Sequence, residues 1–197
     1  MNLIHPTQTA LVLVDYQQRL MPAIHRAPQL LVEAQCLADV AALIGLRTIG
    51  TEQNPKGLGP NVETLRQRCG TTLSKMHFDA CADGLLELLR PPRSSALPDI
   101  VLAGCEAHVC LQQTALGLLR AGHRVHVVAD ACGSRSPDDH AMAMQRLRQA
   151  GADIVSLEMV LFEWLRSCEH AMFKQVLQRL KARDRARAEL AELGKVV

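Results

Sequence analysis

Two uninterrupted apolar runs, Ala10-Leu-Val-Leu-Val14 and Ile100-Val-Leu-Ala103, constrain this chain more than any other feature. A strand with one solvated face alternates apolar and polar residues. A short run that is apolar throughout fits a strand covered on both faces, as in a parallel sheet with helices packed above and below it. Each run leads into residues with helical spacing. After Ile100–Ala103, Gly104 breaks the pattern, and Val109, Leu111, Ala115, Leu118 and Leu119 recur at helical intervals until Ala121-Gly122. Further strands are expected at about 47–51, 71–74, 124–129 and 153–156. Helices are expected at about 29–44, 61–69, 82–89, 137–150, 159–165 and 170–193. Gly45, Gly122 and Gly151 suit helix C-termini, and Pro137 suits a first helical position. Pro91-Pro-Arg-Ser-Ser95 reads as a surface connection. Strands alternating with helices imply right-handed crossovers. The expected fold is therefore α/β: a Rossmann-like three-layer α/β/α sandwich on a six-stranded parallel sheet, order 3-2-1-4-5-6.

With 197 residues, 48% of them hydrophobic, the chain can bury one substantial core, so residues 1–197 are expected to form a single domain. A charged helical extension at about 174–197 ends it, and the acids among its bases make a solvated face the simplest reading. A formal charge of +2 and only 3% aromatic residues argue against nucleic acid or an anionic membrane as partner. The N-terminus lacks the pattern of a signal peptide, and no apolar run has the length of a membrane span. Seven cysteines without a CxxC pair suggest free thiols in a reducing cytoplasm, not a disulfide framework or zinc site. No strand leads into GxGxxG or GxxxxGK[ST], which argues against a dinucleotide or P-loop site.

In open α/β sheets ligands bind at the carboxyl edge of the strands. Three reactive residues fall there. Cys110 lies in the first turn of a helix, where unpaired N–H groups and the helix dipole favour a thiolate and could hold an oxyanion. It could equally be a small buried hydrophobe. Asp15 ends the first strand, and could instead cap a helix. Lys75 ends the third, a position often merely surface. With order 3-2-1-4-5-6 the first and fourth strands are neighbours, which brings Asp15 beside Cys110 within reach of Lys75. A carboxylate can take the thiol proton and return it to a leaving amine, while an ammonium favours both ionised forms.

These residues resemble the isochorismatase-like cysteine hydrolases, in the branch called isochorismatase domain-containing proteins. The resemblance is carried by Leu13-Val-Asp15-Tyr-Gln17, Thr51-Glu-Gln53-Asn-Pro55, Ser74-Lys75 with Phe78, and Gly104-Cys-Glu-Ala-His-Val-Cys110. Thr114-Ala-Leu116 and Asp130-Ala-Cys-Gly-Ser134-Arg-Ser136 extend it, so that it covers about residues 9–173. It implies Cys110 as nucleophile, Asp15 as general base and acid, and Lys75 as third member of a catalytic triad. It also implies a cis peptide at Cys105–Glu106, with the Glu106 and Cys110 amides as oxyanion hole. Gln17, Gln53, His77 and Phe78 would line the substrate pocket, although His77 and His108 could simply be wall or core histidines. Nicotinamidases of the superfamily carry a histidine-containing metal site after the second strand. Thr51-Glu-Gln-Asn-Pro55 has no histidine, so no metal and no other cofactor is expected. The implied function is metal-independent hydrolysis of a C–N bond in a small amide or carbamoyl substrate through a thioester, by a homo-oligomer. Vinyl-ether hydrolysis by Asp15 and a non-catalytic interaction role are the alternatives.

Overall fold

The structure, a computed structural model, describes residues 3–90 and 97–193. The surface connection expected at Pro91-Pro-Arg-Ser-Ser95 lies outside those residues, as do Met1, Asn2 and positions 194–197 of the expected extension. Strands β1 (Thr9–Val14), β2 (Arg47–Gln53), β3 (Thr71–Lys75), β4 (Asp99–Cys105), β5 (Val125–Gly133) and β6 (Asp153–Val155) form one sheet of order β3-β2-β1-β4-β5-β6. Every pairing is parallel, so β1 lies at the centre, hydrogen-bonded to β2 and β4. The fold is the three-layer sandwich expected from the alternation of strands and helices.

The helices are α1 (Ala27–Leu43), α2 (Pro55–Leu58), α3 (Glu63–Arg66), α4 (Leu85–Leu89), α5 (Gln112–Arg120), α6 (Pro137–Gln149), α7 (Leu157–Leu165) and α8 (Phe173–Leu193). Their packing explains the unbroken apolar run of β1. Leu11 and Leu13 face a core shared with α1, α7 and α8, whereas Val12 and Val14 face one shared with α4, α5 and α6. Both faces of the strand are covered, so neither set of alternate residues can be polar. Among the described residues no helix is long and apolar enough to cross a membrane.

The structure departs from the sequence reading in several places, among them the helix expected at 61–69, which spans only Glu63–Arg66, and α2 at Pro55–Leu58, where no helix is expected. Strand β2 continues two residues further, carrying Glu52 and Gln53 as strand and not loop. Strand β5 likewise runs on through Asp130 to Gly133. A register irregularity between Leu102 and Gly104 lets Cys132 and Gly133 pair with Gly104 and Cys105. The charged helix α8 is also not merely solvated. Arg183 is buried, with ion pairs to Glu33 of α1 (3.5 Å), Glu158 (2.5 Å) and Asp184 (2.7 Å). Arg187 meets the other oxygen of Glu33 at 3.1 Å. Burial raises the Glu33 carboxyl, and the two guanidinium groups oppose that rise.

The junction of β1 and β4 depends on Gly104. Its φ is +149°, and a Cβ there would lie 2.2 Å from the Val14 carbonyl oxygen. The obstructing atom is backbone and cannot rotate away. Gly104→Ala is expected to lower stability by ~3 kcal/mol or more. Gly45→Ala, at φ +75° with no described atom within 4 Å of the new Cβ, should cost only ~1 kcal/mol. Equal unfolding midpoints for the two variants in urea would contradict this role for Gly104.

Candidate active site

The carboxyl ends of β1, β2 and β3 and the turn after β4 converge on one group of side chains. Asp15 follows β1 in the left-handed region, φ 52°, and its N–H donates to the Thr51 carbonyl at 3.2 Å. Thr51 Oγ1 donates to Asp15 Oδ1 at 2.7 Å, while Lys75 Nζ meets Oδ2 at 2.7 Å. Both charged side chains have no exposed surface. Lys75 is the last residue of β3 and the cross-strand partner of Gln53 on β2, so the two side chains lie side by side. Lys75 Nζ donates to Gln53 Oε1 at 2.7 Å and faces the His77 and Phe78 carbonyls, each at 3.4 Å. Cys110 is 6% exposed, its Sγ 4.0 Å from Gln53 Oε1 and within hydrogen-bonding reach of Asp15 and Lys75. Two of the alternatives left open by the sequence are excluded by this geometry. Asp15 caps no helix, because the chain continues into a bridge between Gln17 and Asn61, and Lys75 is not a surface residue.

The electrostatics of Cys110 differ from expectation. A helix start favours the thiolate, yet the thiol is pushed up to about 12. Burial is the largest cause and the Asp15 carboxylate the next, with Lys75 pulling the other way. Cys110 also sits within a single π-helical turn, Ala107–Leu111, that runs directly into α5, not at a free helix end. Burial and the Asp15 carboxylate thus favour the protonated sulfur in the resting protein. All seven cysteines are free, and burial pushes Cys36, Cys81 and Cys132 up to about 12 as well.

The remaining candidates fall into two groups. The Cys105–Glu106 peptide is cis, and no acceptor among the described residues meets the Glu106 N–H. The Glu106 carboxylate is occupied by Arg135, accepting from its backbone N–H at 3.2 Å and its Nε at 2.9 Å. The two glutamines expected in a substrate pocket are engaged within the protein. Gln17 donates to the Gln53 and Gly59 carbonyls (3.0 and 2.6 Å) and accepts from the Gln53 N–H (2.9 Å). Gln53 Nε2 donates to the Met76 carbonyl at 2.8 Å. The His77 ring is exposed and bound to Asp83 at 2.8 Å, so it is the carbonyl and not the imidazole that faces Lys75. Phe78 is half exposed beside it.

Sequence reasoning missed Thr51, which holds the second oxygen of Asp15. Its position opposite Val14 in the β1–β2 register is the signal that could have found it. It also missed the contact between His108 Nδ1 and Ser134 Oγ at 3.0 Å, which ties the Cys110 turn to the end of β5. Among the described residues no group of three or more His, Cys, Asp or Glu side chains is placed to hold a metal ion. A cavity of about 550 Å³ opens along the same sheet edge, lined by His25, Arg26, Glu33, Asp130 and His140 among others, and does not include Asp15, Lys75 or Cys110.

A parallel sheet of this order, with an acid, a lysine and a thiol gathered on its carboxyl edge, defines a three-layer α/β hydrolase. The chain belongs to the isochorismatase family: the isochorismatase domain model matches residues 9–159. Isochorismatase domain-containing protein 2A of Mus musculus is 36% identical over 178 residues, which cover 90% of this chain and 85% of the mouse protein. Among solved structures, one described as Mar1 ribonuclease from Caenorhabditis elegans superposes with a TM-score of 0.83 at 34% identity, covering 90% of this chain and 92% of that one. The Escherichia coli YcaC product, described as an octameric hydrolase of unknown specificity, shares the fold, with a TM-score of 0.83 at 22% identity over 100% of this chain and 98% of that one.

The causes acting on the thiol set a pH experiment. Asp15→Asn removes a charge that raises Cys110 and should move its alkylation midpoint down. Lys75→Met removes a charge that lowers it and should move the midpoint up. Each shift is expected to change the alkylation rate at fixed pH by about tenfold or more, read on Cys110 peptides by mass spectrometry. Midpoints that stay together, or move the opposite way, would refute the assignment.

Proposed function

We propose that the protein is a metal-independent cysteine hydrolase that cleaves the C–N bond of a small amide or carbamoyl compound through a thioester on Cys110. The observation that carries this reading is the fully buried Asp15–Lys75 pair, 2.7 Å apart, set against the thiol of Cys110. A resting thiol is a weak nucleophile, so the reaction requires a base at the sulfur as the attack proceeds. Asp15 takes the proton while Sγ bonds to the carbonyl carbon, and Lys75 offsets the negative charge that remains. The Glu106 and Cys110 N–H groups receive the developing oxyanion, which accords with a Glu106 amide that has no acceptor among the described residues. Collapse breaks the C–N bond, and Asp15 returns its proton to the departing nitrogen. Water then attacks the thioester, giving one proton to Asp15, and the sulfur leaves and recovers that proton as the acid departs. The active form is taken to be a homo-oligomer, a point that light scattering on the purified protein tests directly.

The Caenorhabditis elegans neighbour described as a ribonuclease raises RNA cleavage as a second reading. Burial of Asp15, Lys75 and Cys110 to 0, 2 and 6% exposure favours a small substrate, because a polynucleotide backbone is gripped on an exposed basic surface. The test is steady-state hydrolysis of a panel of small amides, carbamoyl compounds, a vinyl ether and an RNA oligonucleotide, with intact-mass trapping of an acyl group on Cys110. Cys110→Ala should lower amide turnover by about 10³-fold or more, and Asp15→Asn by about 10²–10⁴-fold. Amide turnover that survives Cys110→Ala overturns the nucleophile assignment. Vinyl-ether turnover that survives it but not Asp15→Asn assigns the alternative ether chemistry. RNA cleavage without amide turnover assigns the ribonuclease reading, and a complete lack of turnover points to a non-catalytic role.

A further inference from the structure

We infer that Gln53 is a positioning residue of this site, which aims the Lys75 ammonium at Asp15 and holds the Cys110 thiol in line, and is not part of the surface that binds substrate. The inference rests on the cysteine-hydrolase reading, and starts from the orientation of one amide. The Met76 carbonyl can only accept, so the Gln53 atom 2.8 Å from it is the NH₂ group. The amide oxygen is thereby turned toward Lys75 Nζ at 2.7 Å and Cys110 Sγ at 4.0 Å. A flipped amide would set NH₂ against NH₃⁺ and two oxygens against each other, so one orientation alone is compatible with its neighbours.

Counting donors gives this orientation its consequence. An ammonium has three protons. In this site one faces Asp15 Oδ2, one Gln53 Oε1, and one the pair of carbonyls of His77 and Phe78. Its hydrogen bonds go to the Gln53 oxygen and the two carbonyls, and it meets Asp15 Oδ2 as an ion pair, so Lys75 acts on the nearby Cys110 sulfur chiefly through its charge. The thiol hydrogen in turn has the Gln53 oxygen and the Asp15 carboxylate within reach. Removing the Gln53 oxygen would free one ammonium proton and loosen both the lysine and the thiol, without altering the net charge of the site.

Gln53 is itself held more firmly than a pocket wall requires. Its N–H and C=O are both bonded to the side chain of Gln17, at 2.9 and 3.0 Å, so one glutamine amide stands in for a strand neighbour where β2 ends. The same Gln17 Nε2 also binds the Gly59 carbonyl at 2.6 Å. Backbone and side chain of Gln53 are therefore both committed inside the protein. A residue that read the substrate would keep a polar group free for it.

The experiment compares Gln53→Met, which removes the acceptor and leaves charge unchanged, with Gln53→Glu, which keeps an acceptor for Lys75 and adds a negative charge near the sulfur. A positioning role predicts that Gln53→Met lowers kcat by about tenfold or more while KM stays within about threefold. Gln53→Glu sets an oxygen against the Met76 carbonyl and so should also lower kcat, and it should move the Cys110 alkylation midpoint upward, since a second carboxylate disfavours the thiolate. A change confined to KM would assign Gln53 to substrate binding and overturn the inference. So would wild-type kcat and an unmoved alkylation profile in folded variants. If Gln53→Met fails to fold, the alkylation profile of Gln53→Glu decides alone. Alkylation needs no substrate, so this outcome is separable from failure of the cysteine-hydrolase reading, which would appear as absence of amide turnover in the wild-type protein.

Discussion

The ion pair between Lys75 and Asp15 is the constraint on which the rest of the site depends. Two charges with no exposed surface lose hydration worth several kcal/mol each, and their mutual attraction offsets that loss only when the remaining lone pairs and protons are well satisfied. This chain meets most of them with the Thr51 hydroxyl on Asp15 Oδ1, the Gln53 oxygen on Lys75, and two carbonyls of the segment that follows β3, leaving Asp15 Oδ2 with the ion pair alone. Those partners come from β2, β3 and the loop beyond, so the pair forms only when the three strands are in register. The Gln17–Gln53 double hydrogen bond and the Thr51–Asp15 contacts hold that register at the end where regular pairing stops.

The same burial governs the sulfur. Charge from Lys75 lowers the Cys110 thiol, but desolvation and the Asp15 carboxylate outweigh it. A resting thiolate would leave a buried group with two negative charges against one positive. In the proposed reaction that state is never required. Asp15 becomes neutral as the sulfur attacks, and the negative charge reappears on the substrate oxygen, where two amides can receive it. The site stays neutral overall at each step, which in a low-dielectric interior is worth more than a preformed nucleophile.

Much of this is legible in the sequence. Runs such as Ala10–Val14 fit buried strands, and strand–helix alternation with right-handed crossovers restricts their order, so that with the order 3-2-1-4-5-6 Asp15, Lys75 and Cys110 fall on one edge. What escapes has identifiable physical causes. Glu52 and Gln53 are polar and stand before Asn54-Pro55, so they read as loop; pairing with Ser74 and Lys75 of β3 extends the strand through them, and Gln17 bonds the Gln53 backbone on its other side. The continuation of β5 past Asp130 depends on a register irregularity in which extra residues of β5, between Val127 and Cys132, are accommodated opposite Leu102 to Gly104 of β4, which no local pattern announces. Arg183 sits in a stretch whose composition is that of a solvated face, and the carboxylates of Glu158, Asp184 and Glu33 make its burial tolerable. The pKa direction of Cys110 escapes because a helix start is visible in sequence whereas depth of burial is not.

Two of these misses share a feature that bears on how such sites are built. In both a polar residue is buried because another element, distant in sequence, supplies its partner: Gln17 for Gln53 and Glu33 for Arg183. Hydrophobic patterning specifies which face of an element turns inward, and so determines the frame. Buried polar groups instead specify which element meets which, because an unsatisfied donor or acceptor costs about 1–3 kcal/mol and rejects alternatives that apolar packing alone would tolerate. The edge of the sheet where Asp15, Gln53 and Lys75 meet is where both kinds of information are needed at once. Apolar strands bring the chain ends together, and the directional bonds of Thr51, Gln17 and Gln53 then determine where an ammonium, a carboxylate and a thiol stand relative to one another.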